Sequence, residues 1–592
     1  MQTLQRELTS PITKNSVREL KPLRTWIPIL LVPGMALVRF VPGLVENGPS
    51  MIWMASAFGP FLIGLLVILW WLFISRASWL ERILGVIGII ASIALVVFLA
   101  DHTMRGPLTI VMTIPMAIAA FAIGLIILGN RLSISRTCWA IVFACLAAGV
   151  STLTKSDGVW GNFAFGLDWR WSTTSEEKLL AARKATTMVE PPAAIPASEL
   201  TNPDWPSFRG PNQNSAQHGC RISDDWAGSP PKKLWRIAVG PAWSSFTVAG
   251  NYLFTQEQLG EMESVVCYDA RSGKQVWEKT NKSRFFEALG GLGPRATPTI
   301  ADGYIYSFGA EGWLSKLNAT NGDFIWKVDV NKVSERETLP MWGFSASPLV
   351  DNGQVIVHAG GKGDKGIMAF DVNNGGLVWS SSAGINSYGS VQIATLHGKK
   401  YLALLSDTGA HFLEPKTGKT MLDYSWKHMG YRSLQPQIVD GDKVLIPTGM
   451  GTGTRLIQIS DDGGPLQAKE LWTSKDMKPD YNDLVIHKGY VYGFDNAIFA
   501  CIDLKDGKRK WKGGRYEKGQ ALLLADSDLI VVVSEKGELV LLRADPEKLQ
   551  ELYKISVMDG KTWNHPVVVR DRLYLRNSEE AICFQLPVVS AD

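Results

Sequence analysis

Residues that commonly mark metal and redox sites are scarce in this 592-residue sequence. It contains six cysteines and eight histidines, and none of them forms the Cys-x-x-Cys or His-x-x-x-His spacing that predicts a zinc, haem or iron–sulfur site. Charge of one sign is also lacking, because 60 basic and 56 acidic residues leave a net charge of only +4. We therefore predict no metal site and no nucleic-acid partner.

Phosphate-loop and secretory-signal patterns are missing as well. The glycine-rich stretches GGKGDKG at 360–366 and GMGTGT at 449–454 do not end in Gly-Lys-Ser/Thr and open no helix, so we expect them to be hairpin loops over one face of the fold. At the N-terminus, 25 mostly polar residues precede the first apolar run and further apolar stretches come after it. A cleavable secretory signal is not predicted.

Long apolar stretches, by contrast, fill residues 26–154, and each is about long enough to cross a bilayer. The first is the weakest, because Pro28, Pro33, Pro42 and Arg39 interrupt it. The pattern predicts an α-helical membrane bundle of about five spans. The five stretches lie at roughly 26–43, 51–74, 83–100, 108–129 and 137–154.

The loops between these stretches predict their orientation. Arg76 and Arg82 separate the second and third stretches, and Arg131 and Arg136 separate the fourth and fifth. Positively charged loops stay in the cytoplasm, so residues 1–25, which are also basic, are predicted to be a cytoplasmic N-terminus. Five crossings then deliver the rest of the chain to the extracytoplasmic, or periplasmic, side of an inner or plasma membrane.

Residues 155–203 connect the membrane bundle to the C-terminal two thirds of the chain. Their first part carries five aromatic residues, which suit either the lipid headgroup layer, the placement that we favour, or packing on the C-terminal domain. A short helix beginning Ser-Thr-Thr-Ser-Glu-Glu comes next, and then a Pro/Ala-rich stretch that predicts a tether. The five aromatic residues are Trp160, Phe163, Phe165, Trp169 and Trp171.

From residue 204 to 592 one phrase recurs about every 40 to 50 residues: strands, a tight turn and a Gly-x-x-x-Trp ending. The stretch ATPTIADGYIYSFGAEGWLSKLNATNGDFIW at 296–326 shows it best. Eight units of four short strands predict an all-β eight-bladed propeller. Their inner strands are expected to start near Trp243, Ala296, Ala346, Tyr388, Ser433, Asn482, Gln520 and His565.

The last unit has three predicted strands and no Trp-bearing fourth. Residues 232–240, KKLWRIAVG, lie ahead of the first unit and are expected to supply the missing strand, so that no edge stays unpaired. The repeated tryptophans are predicted to fill the wedges between blades, not to bind a cofactor. They are Trp235, Trp277, Trp326, Trp379, Trp472 and Trp511.

The cysteines fit the same scheme. Cys267, Cys501 and Cys583 occupy one third-strand position in three different units, which stand far apart around a ring. They are predicted to be small core residues and not disulfide partners.

Ligand-binding residues are expected where the outer strand of one blade leads to the inner strand of the next, at the mouth of the central channel. Aromatic and cationic residues alternate there, with Asp483 and Glu517 nearby. Such a mouth suits a planar anion, a carboxylate-bearing peptide end or a sugar; alternatively, the aromatic residues plug the channel and the cations solvate its rim. The candidates are Trp243, Arg295, Trp342, Tyr388, Arg432, Asn482, Lys518, Trp563 and His565.

The repeat endings and the lead-in DWPSFRGPNQNS, followed by KKLWRIAVGPAWSS, resemble the membrane-anchored members of the PQQ-binding-like β-propeller family, loosely called BamB-like, within the quinoprotein alcohol dehydrogenase-like superfamily. The resemblance covers residues 204–586. It implies the propeller fold. It leaves activity open, because this repeat serves both quinoprotein dehydrogenases and non-enzymatic scaffolds.

Five spans ahead of such a propeller also resemble the membrane-bound quinoprotein glucose dehydrogenases. That resemblance implies PQQ with Ca²⁺, a nearby cation such as Arg295, Arg432 or Lys518, and a catalytic base, for which Asp483 and His565 are the candidates. The oxygen ligands of a calcium site are not identifiable here, and the adjacent-cysteine pair of many soluble alcohol dehydrogenases is absent.

The sequence therefore predicts an extracytoplasmic, membrane-anchored propeller that acts as a binding or scaffold module, without a cofactor. Its expected partners are the lipid bilayer and a cell-envelope protein or glycan. One alternative is a PQQ-dependent dehydrogenase that oxidises a sugar or alcohol and passes electrons to membrane quinone. Another is a sensor whose mouth recognises an envelope polymer.

Overall fold

The structure is a computed structural model that describes residues 22–45, 50–129, 131, 133–161, 163–185 and 195–589. It divides into two compact units. The first comprises Met1–Ser156 with Leu167–Arg170, and the second comprises Asp157–Gly166 with Trp171–Asp592. The basic residues before position 22, which contribute to the predicted orientation, lie outside the described residues.

Helices make up most of the first unit. Among its described residues four stretches are long and apolar enough to span a bilayer, at Ile52–Ile74, Trp79–Leu99, Thr109–Ile127 and Ile134–Thr152, as the sequence predicts. The first helix has 15 residues. At about 1.5 Å per residue it is shorter than a hydrocarbon core of about 30 Å, so it is the weakest span here too. The helices are α1 Trp26–Phe40, α2 Ser50–Leu69, α3 Trp79–Leu99, α4 Ile114–Ile127 and α5 Ser133–Gly149, with π-helical turns at Trp70–Ile74 and Thr109–Thr113 and 3-10 turns at Val41–Leu44, His102–Met104 and Val150–Thr152.

The third helix begins four residues earlier than the apolar pattern predicts. Ser78 and Glu81 form a capping box at its start, and the Glu81 carboxylate lies 2.9 Å from Nε of Arg136, near the start of α5. Both side chains are almost fully buried. Because the two charges pair with each other, the Glu81 carboxylate can be buried in the first turn of α3 although it is charged. A prediction from hydropathy alone leaves that turn out of the helix.

Eight β-sheets of four or five strands form the blades of the second unit, which confirms the predicted eight-bladed propeller. The inner strands start two to four residues later than predicted, except at Gln520. Blades 1 to 4, from inner to outer strand, are Thr247–Ala249, Tyr252–Leu259, Met262–Asp269 and Gln275–Lys282; Thr299–Ala301, Tyr304–Phe308, Trp313–Asn318 and Phe324–Asp329; Leu349–Asp351, Gln354–His358, Ile367–Asp371 and Leu377–Ser381; and Gln392–Leu396, Lys399–Leu405, Gly409–Leu413 and Thr420–Ser425.

Blades 5 to 8 continue the ring in chain order. They are Gln437–Val439, Lys443–Thr448, Gly453–Ser460 and Gln467–Ser474; Val485–His487, Tyr490–Asp495, Ile498–Asp503 and Arg509–Arg515; Gln520–Leu524, Leu529–Val533, Glu538–Arg543 and Glu551–Ser556; and Val567–Val569, Arg572–Arg576, Glu580–Gln585 and Lys232–Ala238. The short strand Ala216–Gln217 adds to blade 7 in parallel with its inner strand.

The outer strand of blade 8 comes from upstream in the chain. Lys232–Ala238 pairs antiparallel with Glu580–Gln585, and Trp235 on this strand donates its indole N–H to the carbonyl of Ala270 in blade 1 at 3.0 Å. Trp277 makes the equivalent bond from blade 1 to Ala319 of blade 2 at 3.1 Å. The junction between blades 8 and 1 therefore repeats the contact that joins blades 1 and 2.

The repeated tryptophans pack between blades, as predicted. Trp277, for example, lies against Gly322 in the turn before the outer strand of blade 2, and that glycine has a φ of +77°, in the left-handed region that favours glycine. Trp235 lies against Gly273 in the same way. The Gly-x-x-x-Trp phrase thus supplies both partners of the contact, and the glycines of blades 1, 2, 3, 4 and 6 each lie against the tryptophan of the blade before.

The three repeated cysteines are buried core residues beside these tryptophans. Cys267 pairs across the strands with Trp277, Cys501 with Trp511 and Cys583 with Trp235. A small side chain at this position leaves room for the indole.

Residues 171–185, ahead of the propeller, belong to the same compact unit as the blades. A two-stranded hairpin, Thr154–Val159 and Phe165–Trp169, is followed by α6, Ser175–Ala185. Helix α6 docks on blade 1, where Glu176 pairs with Arg284 at 2.9 Å and Arg183 pairs with the buried Glu257 at 3.4 Å. The remaining short elements are Phe286–Glu287 with Gly291–Leu292, α7 Val330–Val333, and 3-10 turns at Ala197–Glu199 and Ala525–Ser527.

The predicted Pro/Ala tether needs a correction over its described part. Ile195 and Leu200 are buried in the core that blades 1 and 2 share, so residues from 195 onward are not a free spacer. Most of the Pro/Ala-rich stretch before Ile195 lies outside the described residues.

Candidate binding site at the propeller mouth

The upper face of the propeller is the end at which each outer strand connects to the inner strand of the next blade. The turns between the second and third strands of each blade lie on this face too. Both glycine-rich loops are turns of this kind, as predicted: the amide of Met450 in the second loop bonds to Asp480, which lies in the connection between blades 5 and 6.

The lead-in segment 205–217 crosses the lower end of the central channel. It pairs with the inner strand of blade 1 through Trp205 and Val248, and with that of blade 7 through Ala216 and Leu523. Between these anchors Arg209 adopts a left-handed φ of +67° and is 1% exposed.

The Arg209 guanidinium links several blades from inside the channel. It lies 3.2 Å from Asp483 and donates to the Leu484 carbonyl at 3.1 Å, to Gln437 at 3.3 Å and to Ser215 at 2.8 Å. These partners compensate for the hydration that the guanidinium charge loses on burial. Asp483 was among the predicted candidates and Arg209 was not, although a lone arginine inside the lead-in DWPSFRGPNQNS was the available signal.

The two predicted catalytic candidates belong to this buried network. His565 bonds through Nε2 to the Ser215 hydroxyl at 2.8 Å and lies 3.6 Å from Asp483. Burial lowers the pKa of His565 to about 3, so the imidazole is neutral. Burial raises the pKa of Asp483 to about 6, against the opposing effect of Arg209. Asn482 is fully buried and donates to the Gly519 carbonyl at 2.7 Å.

Above this network the aromatic residues of the mouth form two groups. The Trp342 cluster comprises Trp342, Tyr388 and Tyr431, at the entries to blades 3, 4 and 5, with ring centroids 4.2 to 5.7 Å apart. The Trp563 cluster comprises Trp563, Trp243 and Tyr481, at the entries to blades 8, 1 and 6, with Trp563 at 4.7 Å from Trp243 and 5.1 Å from Tyr481.

Tyr431 and Tyr481 were not predicted, because the predicted mouth position was the next residue in each case, Arg432 and Asn482. Neighbouring side chains in extended chain point in opposite directions, so a shift of one residue exchanges a mouth position for a buried one. The signal that could have identified them is the aromatic residue at the corresponding position of four other blades.

The predicted cationic side chains already have hydrogen-bond or ion-pair partners within the protein. Arg432 is 1% exposed and donates to Thr448 at 3.0 Å and to the Trp426 carbonyl at 2.7 Å. Arg295 donates to the carbonyls of Gly291 at 2.8 Å and Trp342 at 3.2 Å. Lys518 pairs with Asp480, and Glu517 with Arg515. Each of these cations therefore has internal hydrogen-bond or ion-pair partners.

The Trp563 cluster shares its polar neighbours with the tip of the hairpin, residues 157–166, of which Asn162 lies outside the described residues. Glu535 accepts the indole N–H of Trp563 at 2.7 Å and the backbone N–H of Gly161 at 2.7 Å. Lys561 lies 4.6 Å from the Trp563 ring and donates to the carbonyl of Asp157 at 3.3 Å. This tip therefore packs on the propeller, which was one of the two placements that the sequence allowed.

The Trp342 cluster has exposed apolar neighbours instead. Met341, Ile385 and Met450 are 68%, 60% and 57% exposed, and Met429 is fully exposed. The Met450 sulfur lies near Gly430, so it adjoins Met429. These four exposed side chains, three of them flexible methionines, lie on chain segments next to the Trp342 cluster, a composition typical of adaptable protein-binding surfaces.

A crevice opens beside this cluster between the connections of blades 2, 3 and 4. Arg336, His358, Ile385 and Tyr388 help to line it. His358 is 4% exposed, and burial lowers its pKa to about 4, so the imidazole is neutral. Its Nε2 has no hydrogen-bond partner among the described residues. One buried polar atom without a partner in the described part of the chain therefore lies beside this crevice.

No three His, Cys, Asp or Glu side chains converge on a common point anywhere in the described ranges. The mouth instead has aromatic rings, methionines and backbone-directed polar groups, which suit a polypeptide.

Comparison with known proteins agrees with the repeat pattern. Residues 230–341 and, overlapping them, 261–513 match the family described as outer membrane protein assembly factor BamB. The propeller is similar to the BamB-like, PQQ-type repeat family over residues 230–513.

Relatives of this BamB-like propeller are distant in sequence. The outer membrane protein assembly factor BamB of Yersinia pestis is 23% identical over 339 residues, covering 47% of this chain and 80% of that protein. Among solved structures, BamB from Moraxella catarrhalis is 15% identical with a TM-score of 0.43, over 61% of this chain and 99% of that one. A quinohemoprotein alcohol dehydrogenase from Pseudomonas putida is 13% identical with a TM-score of 0.45, over 68% and 84% of the two chains.

Proposed function

We propose that this protein is a membrane-anchored, extracytoplasmic binding and assembly module, and that the Trp342 cluster with its exposed methionines is its working surface. The observation that carries the proposal is the exposure of four large apolar side chains around one aromatic cluster on the upper face. Water-exposed apolar groups gathered at one place stabilise a complex when a partner buries them. The relationship to an assembly factor supports a protein partner.

The partner that this surface suits is an apolar segment of a cell-envelope polypeptide. A sugar or a planar anion would need polar or charged groups that are free to bind it, whereas Arg295 and Arg432 already donate to internal carbonyl and hydroxyl groups. Methionine side chains adapt to varied apolar shapes.

The proposed membrane topology keeps the N-terminus in the cytoplasm and the propeller outside it. Arg136 is neutralised by Glu81, so its charge contributes little to the asymmetry. Arg76 and Arg131 still lie in the two connections that would face the cytoplasm, and Arg82 lies in the first turn of α3 at the same end. A periplasm-active alkaline phosphatase fused after residue 589 is expected to be active. Activity of a cytoplasm-dependent fluorescent reporter at that position would contradict the topology.

The residues at the mouth do not fit PQQ with Ca²⁺. The candidate base Asp483 is 2% exposed and paired with Arg209, which fills the channel below it. Trp243 and Trp563 pack on each other at 4.7 Å, which leaves no slot for a planar quinone between them. We expect no dye reduction with sugars or alcohols when PQQ and Ca²⁺ are added to the purified protein; saturable quenching with dye reduction would favour the dehydrogenase.

Site-specific photo-cross-linking in the native host tests the binding surface. Benzoylphenylalanine in place of Met341 is expected to capture one discrete envelope polypeptide. The matched control is the same probe at Leu377, which is 47% exposed on the outer strand of blade 3, away from the mouth.

Trp342→Ala should abolish the adduct at position 341 while the protein remains folded. Equal adducts from both positions, or an adduct that survives Trp342→Ala, would contradict the proposal. A glycan adduct would replace the polypeptide partner with an envelope polymer.

A further inference from the structure

We infer that the groups around the Trp563 cluster form a second binding site, specific for a glycine-containing peptide turn, and that the hairpin tip at 157–166 occupies it as an intramolecular ligand. The site is separate from the Trp342 cluster and does not depend on the function proposed for that surface. Its ligand class is a polypeptide turn of the form Gly-x-x-Gly, recognised through its backbone.

The contacts that hold the tip are directed at its main chain. Lys561 donates to the carbonyls of Asp157 at 3.3 Å and Val159 at 3.4 Å. The Leu289 carbonyl accepts the N–H of Val159 at 2.8 Å, and Glu535 accepts the N–H of Gly161 at 2.7 Å. A cation and two acceptors thus match alternate carbonyl and amide groups of an extended chain that then turns.

The two glycines explain which peptides fit. Gly158 has a φ of +111°, and a Cβ atom there would lie 2.5 Å from the Leu289 carbonyl oxygen. A Cβ at Gly161 would collide with the Lys518 side chain and lie 3.1 Å from Glu535. Any larger residue at either position would therefore have to move groups that make the site. The turn between them closes on itself, with the Trp160 amide bonded to the Ala164 carbonyl at 2.9 Å.

The two charged groups of the site, Lys561 and Glu535, are held in position by neighbouring aromatic residues. Lys561 is 6% exposed and Glu535 is 1% exposed. Lys561 is held over the Trp563 and Trp243 rings, at 4.6 Å and 5.4 Å from their centroids. Glu535 is fixed by the Trp563 indole. Buried charges this well ordered stabilise a complex only while their partners are present.

The tip competes with outside ligands through its covalent connection. A short tether gives an intramolecular ligand an effective concentration on the order of millimolar. A peptide added at micromolar concentration therefore cannot displace the intact tip, and binding in trans becomes visible only when the tip is weakened.

The test uses the full-length protein in detergent and a fluorescein-labelled synthetic peptide with the sequence of residues 154–169. Fluorescence anisotropy is expected to show no binding to the wild type at micromolar peptide. Gly161→Leu should expel the tip, detected by new chymotrypsin cleavage near Trp160, and should bind the peptide saturably. The matched control is Gly464→Leu, at a glycine with open space around it, which should behave as the wild type.

Two further reagents define specificity. Lys561→Met in the Gly161→Leu background should weaken peptide binding at least tenfold, and a peptide carrying leucine at the position of Gly161 should not bind. The inference is overturned if Gly161→Leu leaves the tip resistant to cleavage, if the released site binds no peptide, or if the leucine-bearing peptide binds equally well.

Discussion

The two aromatic clusters at the mouth differ in what lies against them. The Trp563 cluster shares Glu535 and Lys561 with a segment of the same chain, whereas the Trp342 cluster is surrounded by exposed Met341 and Met429. Both clusters come from equivalent positions of the same repeat. The difference therefore arises outside the repeat, in the residues that precede the propeller, and it separates a site with an internal occupant from a surface free for a partner.

The same comparison extends to buried charge. Beside the Trp563 cluster, Lys561 and Glu535 are compensated by backbone groups of the hairpin tip. Beside the Trp342 cluster, His358 is buried and neutral, and its Nε2 has no hydrogen-bond partner among the described residues. The two clusters therefore differ in whether the buried polar groups named here have partners within the described residues.

The largest expected effect comes from removing the support that both clusters share. Arg209→Met leaves the Asp483 carboxylate buried without its partner, which typically costs about 3–5 kcal/mol. We expect a large fall in the thermal midpoint of the propeller, monitored by tryptophan fluorescence. The control is Arg570→Met, because Arg570 is 79% exposed in its ion pair and its loss should change stability by less than about 0.5 kcal/mol. Equal midpoints for the two variants would mean that Arg209 does not join the blades.

Next in size is the release of the hairpin tip. Lys561→Met removes a charged donor from two carbonyls, and such bonds are worth about 1.5–3 kcal/mol. The open population should rise at least tenfold, measured as the rate of chymotrypsin cleavage near Trp160. Lys362→Met, at an exposed pair on the other side of the mouth, should leave this rate unchanged. An unchanged rate in Lys561→Met would remove the distinction between the two clusters.

A substitution beside the Trp342 cluster is expected to change stability less than the two above, but to change partner binding clearly. Met429 is fully exposed, so Met429→Lys should change stability by less than about 0.5 kcal/mol. It should nevertheless abolish the cross-link from position 341, because a charge would have to be buried in an apolar interface. Persistence of the adduct at wild-type yield would place the partner elsewhere.

The smallest expected effect is a pair of opposite pH dependences. Burial raises the pKa of Glu263, between blades 1 and 2, to about 7 from 4.5, so the folded state holds a proton that the unfolded state releases, and stability falls as pH rises between these values. Burial lowers the pKa of His358 to about 4 from 6.5, so stability falls as pH decreases across that window.

Melting curves of Glu263→Gln and His358→Gln between pH 4.5 and 7.5 check this pair. The thermal midpoint of Glu263→Gln relative to the wild type should rise as pH rises, and that of His358→Gln should rise as pH falls. If the midpoints of both variants followed pH in the same way, the assigned burial of these two groups would be contradicted.

Sequence alone was sufficient for the parts of the molecule that repeat. The Gly-x-x-x-Trp period predicted eight blades because the contact between Trp277 and Gly322 recurs at a fixed spacing. Long apolar runs predicted about five spans, and four of the described helical stretches are long and apolar enough to cross a bilayer, because length and composition alone decide that property. The upstream strand Lys232–Ala238, which pairs with Glu580–Gln585, was expected from counting the strands of the last unit.

The contacts of the mouth could not be predicted in the same way. Whether Arg432 or Tyr431 faces the channel depends on a shift of one residue, which periodicity does not resolve. The roles of Arg209 and of the tip at 157–166 depend on pairings between residues hundreds of positions apart, such as Gly161 with Glu535. Such long-range contacts leave no local pattern in the sequence.

Hydrogen exchange of the full-length protein, resolved to single amides, tests the central distinction most directly. The amides of Val159 and Gly161 bond to the Leu289 carbonyl and to Glu535, so we predict that they exchange far more slowly than the amides of Met429 and Gly430 beside the Trp342 cluster. Fast exchange at Val159 and Gly161, equal to that at Met429 and Gly430, would contradict this prediction, because the hairpin tip would then not occupy the mouth.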